Sequence, residues 1–198
     1  MEVLGIYGSP RKKGNSAILL DKALEGAESA GAEITKIYAR DLKIVGCIEC
    51  GGCDKTGKCV VKDDMQDVYP LLESADAIIL STPIFFYTVT AYAKALIDRC
   101  QAPWRKRMLT KTREQRKTYE SGKGYIVAVA ATSGEKIFDG ASLVAKYFYD
   151  ALDMSYEGGV FVRKVDKKGA IMEQPEFLKE AYELGVKIVN GDQQTQNL

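Results

Sequence analysis

The sequence predicts an α/β protein built on a doubly wound, five-stranded parallel sheet in the order 2-1-3-4-5. Strand-like apolar runs and stretches of helical periodicity alternate five times along 198 residues. Ala77-Ile78-Ile79-Leu80 and Tyr125 to Ala131 are uninterrupted apolar runs, as strands buried on both faces require. The first strand passes directly through a tight loop into a helix, the arrangement that builds an anion site at a strand's C-terminal end.

Val3 to Tyr7 forms the first strand, and Gly8 to Ser16, G-S-P-R-K-K-G-N-S, forms the loop. A helix follows to about Ala30, with apolar positions at Ala17, Leu20, Ala23, Leu24 and Ala27 and Gly31 as its stop. Ala32 to Tyr38 alternates as a strand should. Residues 40–62 form a cysteine-rich insertion after strand 2, and Asp63-Asp64 cap a helix from Met65 to Ser74. Ala75 to Ser81 is the central strand and stops at Thr82-Pro83, because proline cannot donate to a ladder. A helix from about Thr90 to Gln101 leads into a basic helical extension, residues 102–123. Tyr125 to Ala131 is the fourth strand, Ala141 to Leu152 a helix, Tyr156 to Val162 the last strand and Pro175 to Val189 the closing helix. The polar tail from Asn190 to Leu198 is expected to fray, and the whole is expected to be a single domain, 1–198.

Ligands of such sheets sit outside the C-terminal ends of strands 1, 3 and 4, which singles out three loops. In the first, Ser9, Arg11, Lys12, Gly14, Asn15 and Ser16 combine hydroxyl, amide and cationic donors with a helix N-terminus. Neither G-x-x-x-x-G-K-[ST] nor G-x-G-x-x-G is present, so a monophosphate ester is a better ligand than ATP or NAD. The second loop, Thr82-Pro83-Ile84-Phe85-Phe86-Tyr87-Thr88, is apolar enough to wall a flat ring. The third, Thr132-Ser133-Gly134, offers small polar residues.

Lys plus Arg number 28 and Asp plus Glu 27, a formal net charge of +1 that gives no support for nucleic-acid or membrane-surface binding. Histidine is absent, which excludes Ser-His-Asp triads and imidazole-based acid/base chemistry. No basic-then-apolar leader precedes the first strand and no run is long enough to span a membrane, so a cytoplasmic protein is expected, in which cysteines are not structural disulfides.

Four of the five cysteines fall within thirteen residues, as C-x2-C-x2-C-x5-C at Cys47, Cys50, Cys53 and Cys59. Chance placement is a poor explanation. Zinc sites more often pair two C-x2-C knuckles across a longer loop, whereas three cysteines at three-residue spacing with a fourth shortly after can wrap a cubane. Cys100 reads as a buried structural residue. Seven Lys/Arg and one Glu between Arg105 and Lys117 read as a solvated helix face, with a subunit contact or a docking patch for an acidic partner or the 2′-phosphate of NADPH as alternatives.

These motifs resemble the flavodoxin-like NAD(P)H-dependent FMN reductases. Gly8, Ser9, Arg11, Gly14, Asn15 and Ser16 match that family's G-S-x-R-x-x-S/G-N-S/T loop. Residues 82–90, followed by Lys94 to Arg99, match its T-P-[IV]-[YF]-[FW]-x-x-[VS]-[TS] and K-x-x-I-D-R. With the cysteine run, the chain resembles the iron-sulfur flavoproteins, a branch of that family. The resemblance implies FMN held by its phosphate in the first loop and by its ring in the second. It also implies a [4Fe-4S] cluster on Cys47, Cys50, Cys53 and Cys59, and a homodimer or homotetramer with one chain's cluster near a neighbour's FMN.

The function expected is electron transfer from a ferredoxin-like one-electron donor or NAD(P)H to an unknown acceptor, with no catalytic side chain because FMN carries the chemistry. Two alternatives stand beside it: an NAD(P)H-dependent FMN, quinone or azo reductase without a cluster, and a four-cysteine zinc or thiol redox sensor on the same scaffold.

Overall fold

A computed structural model describes residues 1–191; the rest of the polar tail, 192–198, lies outside them. Five parallel strands form one sheet in the order β2-β1-β3-β4-β5, as the sequence predicts. They are β1 (Glu2–Tyr7), β2 (Glu33–Tyr38), β3 (Ala77–Pro83), β4 (Gly122–Val129) and β5 (Met154–Val162). The helices are α1 (Asn15–Ser29), α2 (Met65–Ser74), α3 (Ala91–Arg99), α4 (Gln101–Thr110), α5 (Asp139–Ala151) and α6 (Pro175–Asn190).

The period-two alternation of the strands sorts the core into two layers. Leu4, Ile6, Ile78, Leu80, Ile126 and Ala128 face one way, onto Met65 and Leu72 of α2, Leu96 of α3 and Ala145 and Phe148 of α5. Val3, Ala77, Ile79, Val127 and Val129 face the other way, onto Leu19, Leu20 and Leu24 of α1 and Ala181 and Ile188 of α6. Both faces of the central strands are covered, which is why their sequences are unbroken apolar runs.

Several boundaries differ from expectation. β3 continues through Thr82 to Pro83, which pairs with Val129. As the last residue of the strand, the proline withholds no bond that the ladder needs, and the next amide, Ile84 N–H, donates to Val129 at 2.8 Å. The helix expected from Thr90 to Gln101 ends at Arg99, and after Cys100 a separate α4 begins, where the helical extension was expected. The segment 102–123 is helical only to Thr110, with one 3-10 turn at Gln115–Lys117 before β4 starts at Gly122. Asp64 makes no side-chain cap on α2; Asp63 Oδ1 accepts from Met65 N–H at 3.2 Å. Asn190, placed in the tail by sequence, closes α6.

Candidate functional site

The loop after β1 is built as a cradle. Gly8 N–H donates to the Ser81 carbonyl at 2.7 Å, tying the loop to β3. Gly14 is the N-cap of α1, whose first turn holds no acidic residue and presents the unpaired N–H groups of a helix start. A Cβ at Gly14 would come within 3.3 Å of both Ser9 Oγ and Arg11 Cβ, so the loop closes on a backbone without a side chain there. Ser9 Oγ accepts from Arg11 N–H at 3.1 Å. Ser16, only 2% exposed, has a hydroxyl that finds no hydrogen-bond partner among the described residues. A buried orphan hydroxyl at a helix N-terminus, beside an exposed Arg11, is the donor set that a phosphate ester requires. The residues present therefore fit FMN's phosphate.

Ser9, Arg11, Gly14, Asn15 and Ser16 line one cavity of about 100 Å³ with Pro83, Ile84 and Phe85. Pro10, Val129, Ala131, Val165 and Asp166 complete it. Sequence reasoning missed Val165 and Asp166, which follow β5, outside the three strand ends considered. Asn15 is spent differently from expectation: its Nδ2 donates to the Lys167 carbonyl at 2.9 Å and its Oδ1 accepts from Ile171 N–H at 3.4 Å. It clamps the chain beyond β5 against the cradle.

The remaining predicted residues lie around this cavity without lining it. Lys12 is exposed, and Thr82 is buried with its Oγ1 accepting from Thr90 N–H at 3.3 Å. Phe85 and Thr88 exchange backbone hydrogen bonds of 3.0 and 3.1 Å across a two-residue turn. Phe86 and Tyr87 at that turn have φ of +49° and +64°, positions that usually take Asn or Gly. Phe86 is fully exposed at the apex. Tyr87 reaches the third loop, where a Cβ at Gly134 would lie 3.0 Å from its hydroxyl. Thr132 and Ser133 are exposed.

α3 begins at this site. Thr90 caps it, accepting from Ala93 N–H at 3.2 Å, while its own hydroxyl donates to the Gly8 carbonyl. At the other end, Arg99 lines a second cavity, of about 250 Å³, with Cys47, Cys50, Cys53 and Cys59. All four thiols are free; Cys47 and Cys50 are exposed and the other two half-buried. Burial pushes the Cys53 thiol up. Burial also acts on Cys59, but hydrogen bonds from the Val61 backbone, Tyr69 and Arg99 outweigh it and hold that thiol below its usual value. All four cysteines line this one cavity. Among the described residues no three His, Cys, Asp or Glu side chains form a group that could hold a metal ion. Four cysteine sulfurs are a donor set that suits either an iron-sulfur cluster or a tetrahedral zinc ion.

The basic segment is only in part the solvated face that its charge suggests: Lys106, Arg113 and Lys117 are exposed, but other cations are taken up by the fold. Arg107 is 5% exposed, with Nε 2.8 Å from Asp153 and Nη1 2.8 Å from Asp150. Arg105 pairs with Asp54 of the cysteine loop at 2.9 Å, and Gln101 and Ala102 line the cysteine cavity. Gly57, with φ +67°, sits so close that a Cβ would approach the Lys106 backbone to 2.6 Å. α4 is thus a wall of the cysteine cavity, and Arg107 is unavailable to a docking partner.

Sheet order, anion cradle and aromatic strand-end loop together define a flavodoxin-like, mononucleotide-binding protein. The chain belongs to the NADPH-dependent FMN reductase family, a family of flavin-dependent oxidoreductases, whose model matches residues 1–160. An iron-sulfur flavoprotein of Archaeoglobus fulgidus is 44% identical over 99 residues, covering 50% of this chain and 45% of that relative. The match thus spans about half the length of that protein. An iron-sulfur flavoprotein of Clostridioides difficile strain 630 is 26% identical over 177 residues, 85% of this chain and 77% of the relative. These similarities put the chain on the iron-sulfur flavoprotein branch. The solved NAD(P)H:quinone oxidoreductase from Methanothermobacter marburgensis matches with a TM-score of 0.65 over 94% of this chain and 96% of its own, at 15% identity, a likeness of fold. Among the described residues no helix is long and apolar enough to cross a membrane.

Proposed function

We propose that the chain binds FMN at the β1 cradle and a [4Fe-4S] cluster on Cys47, Cys50, Cys53 and Cys59, and passes electrons from a ferredoxin-like one-electron donor or NAD(P)H to an acceptor. Ser9, Arg11, Ser16 and the first N–H groups of α1 hold the phosphate. Asn15 fixes the chain beyond β5, and Pro83, Ile84 and Phe85 supply the apolar wall. Flavin exchanges one or two electrons and a cubane one, so the pair converts between the two kinds of partner without a side-chain acid or base.

The observation that carries this reading is the four free thiols lining one cavity at one end of α3, whose other end is hydrogen-bonded to the phosphate loop. Assembly into a homodimer or homotetramer is supported by the exposed Leu143 and Tyr147, which share a cavity of about 440 Å³ with Trp104. Free cysteines fit a cytoplasmic setting.

The test is iron, zinc, acid-labile sulfide and FMN per chain in protein purified without oxygen. About four irons and four sulfides with one FMN are expected. FMN without iron after anaerobic reconstitution would overturn the cluster and leave the second reading, a nicotinamide-dependent FMN or quinone reductase. The family match supports that reading independently of the cysteines, and it predicts rapid flavin reduction by NADH or NADPH. Stoichiometric zinc would favour the sensor reading, against which the family match to FMN reductases weighs.

A further inference from the structure

Arg99 is among the largest fully buried side chains of the protein, 2% exposed. A buried guanidinium must be paired and bonded, and most of this one is. Nη1 donates to Asp63 Oδ2 at 2.6 Å and Nη2 to Asp63 Oδ1 at 3.1 Å, a bidentate fork. Nη1 also donates to the Val45 carbonyl at 3.0 Å. Two features remain unexplained by a purely structural staple. Nη2 donates to Cys59 Sγ at 3.4 Å, and Nε, equally buried, has no partner among the described residues although the side chain lines the cysteine cavity.

From these contacts we propose that Arg99 is a positioning and charge-tuning residue for the cysteine-bound cluster: it aims the Cys59 sulfur and raises the potential at which the cluster accepts its electron. The inference rests on the cluster reading given above. One-electron reduction adds a negative charge and no proton, so a fixed cation hydrogen-bonded to a ligating sulfur favours the reduced state. Arginine suits the role because it cannot lose its proton and can fork onto Asp63 while keeping another N–H for the sulfur. Asp63 sets how much of that charge the cavity feels. Its carboxylate neutralises the guanidinium at close range, so the two residues should act on the cluster with opposite signs. A staple that merely joined the end of α3 to the segment 45–63 would affect folding and leave the potential unmoved.

The test uses the anaerobically reconstituted wild-type protein, Arg99→Gln and Asp63→Asn, each titrated with dithionite in the presence of redox mediators while the cluster is followed by electron paramagnetic resonance. Iron and sulfide are counted first, so failure of the cluster reading shows as an iron-free wild type and sinks both readings before any potential is measured. With iron present, Arg99→Gln should weaken reduction about tenfold, a fall of about 59 mV for one electron, and Asp63→Asn should shift it upward by threefold or more. Clusters retained in both variants with equilibria within threefold of wild type would overturn the tuning role while leaving the cluster in place. If Arg99→Gln cannot retain iron, Asp63→Asn decides alone: an upward shift supports the inference, and an unchanged or lowered potential refutes it.

Discussion

Ser16→Ala separates a hydroxyl kept for a ligand from one kept for the fold. The Ser16 side chain is buried and its oxygen has no partner among the described residues, so in the free protein it bears a desolvation cost with no return. An unsatisfied buried polar group costs about 1–3 kcal/mol, and removing this one should leave the apoprotein as stable or up to about 1 kcal/mol more stable. Alanine also suits the second position of a helix. In the proposed FMN complex the same hydroxyl would face a dianionic phosphate, and a hydrogen bond to a charged group contributes about 1.5–3 kcal/mol. The dissociation constant for FMN should therefore rise by roughly 10- to 100-fold. Riboflavin, which has the ring but no phosphate, should bind wild type and variant alike. The assay is quenching of flavin fluorescence on titration into apoprotein, beside urea denaturation of the apoprotein. Loss of more than about 1 kcal/mol of apoprotein stability, or an equal loss of affinity for FMN and riboflavin, would refute the reasoning, because the hydroxyl would then serve the fold or the ring.

Arg107→Met should cost about 1–3 kcal/mol, because Asp150 and Asp153 lose a buried cation although Lys111 still pairs with Asp153, and lower the melting temperature by about 2–12 °C. A loss under about 1 kcal/mol in urea denaturation would mean that the segment is held by other contacts. Gly57→Ala places a methyl against the Lys106 backbone at a positive φ, so it should detach the cysteine loop from α4. Iron retention after reconstitution should fall while FMN binding stays within about threefold, and unchanged iron would remove α4 from the cavity wall. The Arg99 hydrogen bond holds the Asp63 carboxyl below its ordinary value of 3.8. The stabilisation it gives is complete above that value and is lost as the pH falls through the lower folded value. Acid denaturation should be less steep in Asp63→Asn as the pH falls below about 4, and superimposable curves would contradict the pairing.

What the sequence revealed tracks how local each signal is. The sheet order and the cradle were legible because strand, loop and helix start adjoin in the chain, so Gly8 to Ser16 state their chemistry within nine residues. The partnerships that redirect individual side chains were not. Asn15 reads as a phosphate ligand until the chain 152 residues further on takes its amide. Arg107 reads as a solvated charge until Asp150 and Asp153, contributed by the end of α5 and the approach to β5, enclose it. A charge run says how many cations a segment carries, while burial depends on elements that pattern does not register. Thr82 and Tyr87 were assigned to the ring wall by their place in an apolar loop. A two-residue turn, which Phe86 and Tyr87 enter against their backbone preference, settles instead which of those side chains face the cavity.

α3 connects these observations. It is nine residues long, about 13 Å, and both of its ends are fastened to a site rather than to solvent. Thr90 at the start holds the phosphate loop through Gly8, and Arg99 at the end holds Cys59 and Asp63. Ala93 and Leu96 between them are fully buried against the sheet, so the element cannot slide without opening the core. The contacts predict that occupancy of one site is coupled to order at the other: FMN that settled the Gly8 loop would also fix the register of the helix that presents Arg99 to the cysteines. Thr90→Val keeps the shape and removes both hydrogen bonds, so it should weaken FMN binding and cluster retention together. Loss of one with the other intact would show that the helix links the sites in space but not in energy.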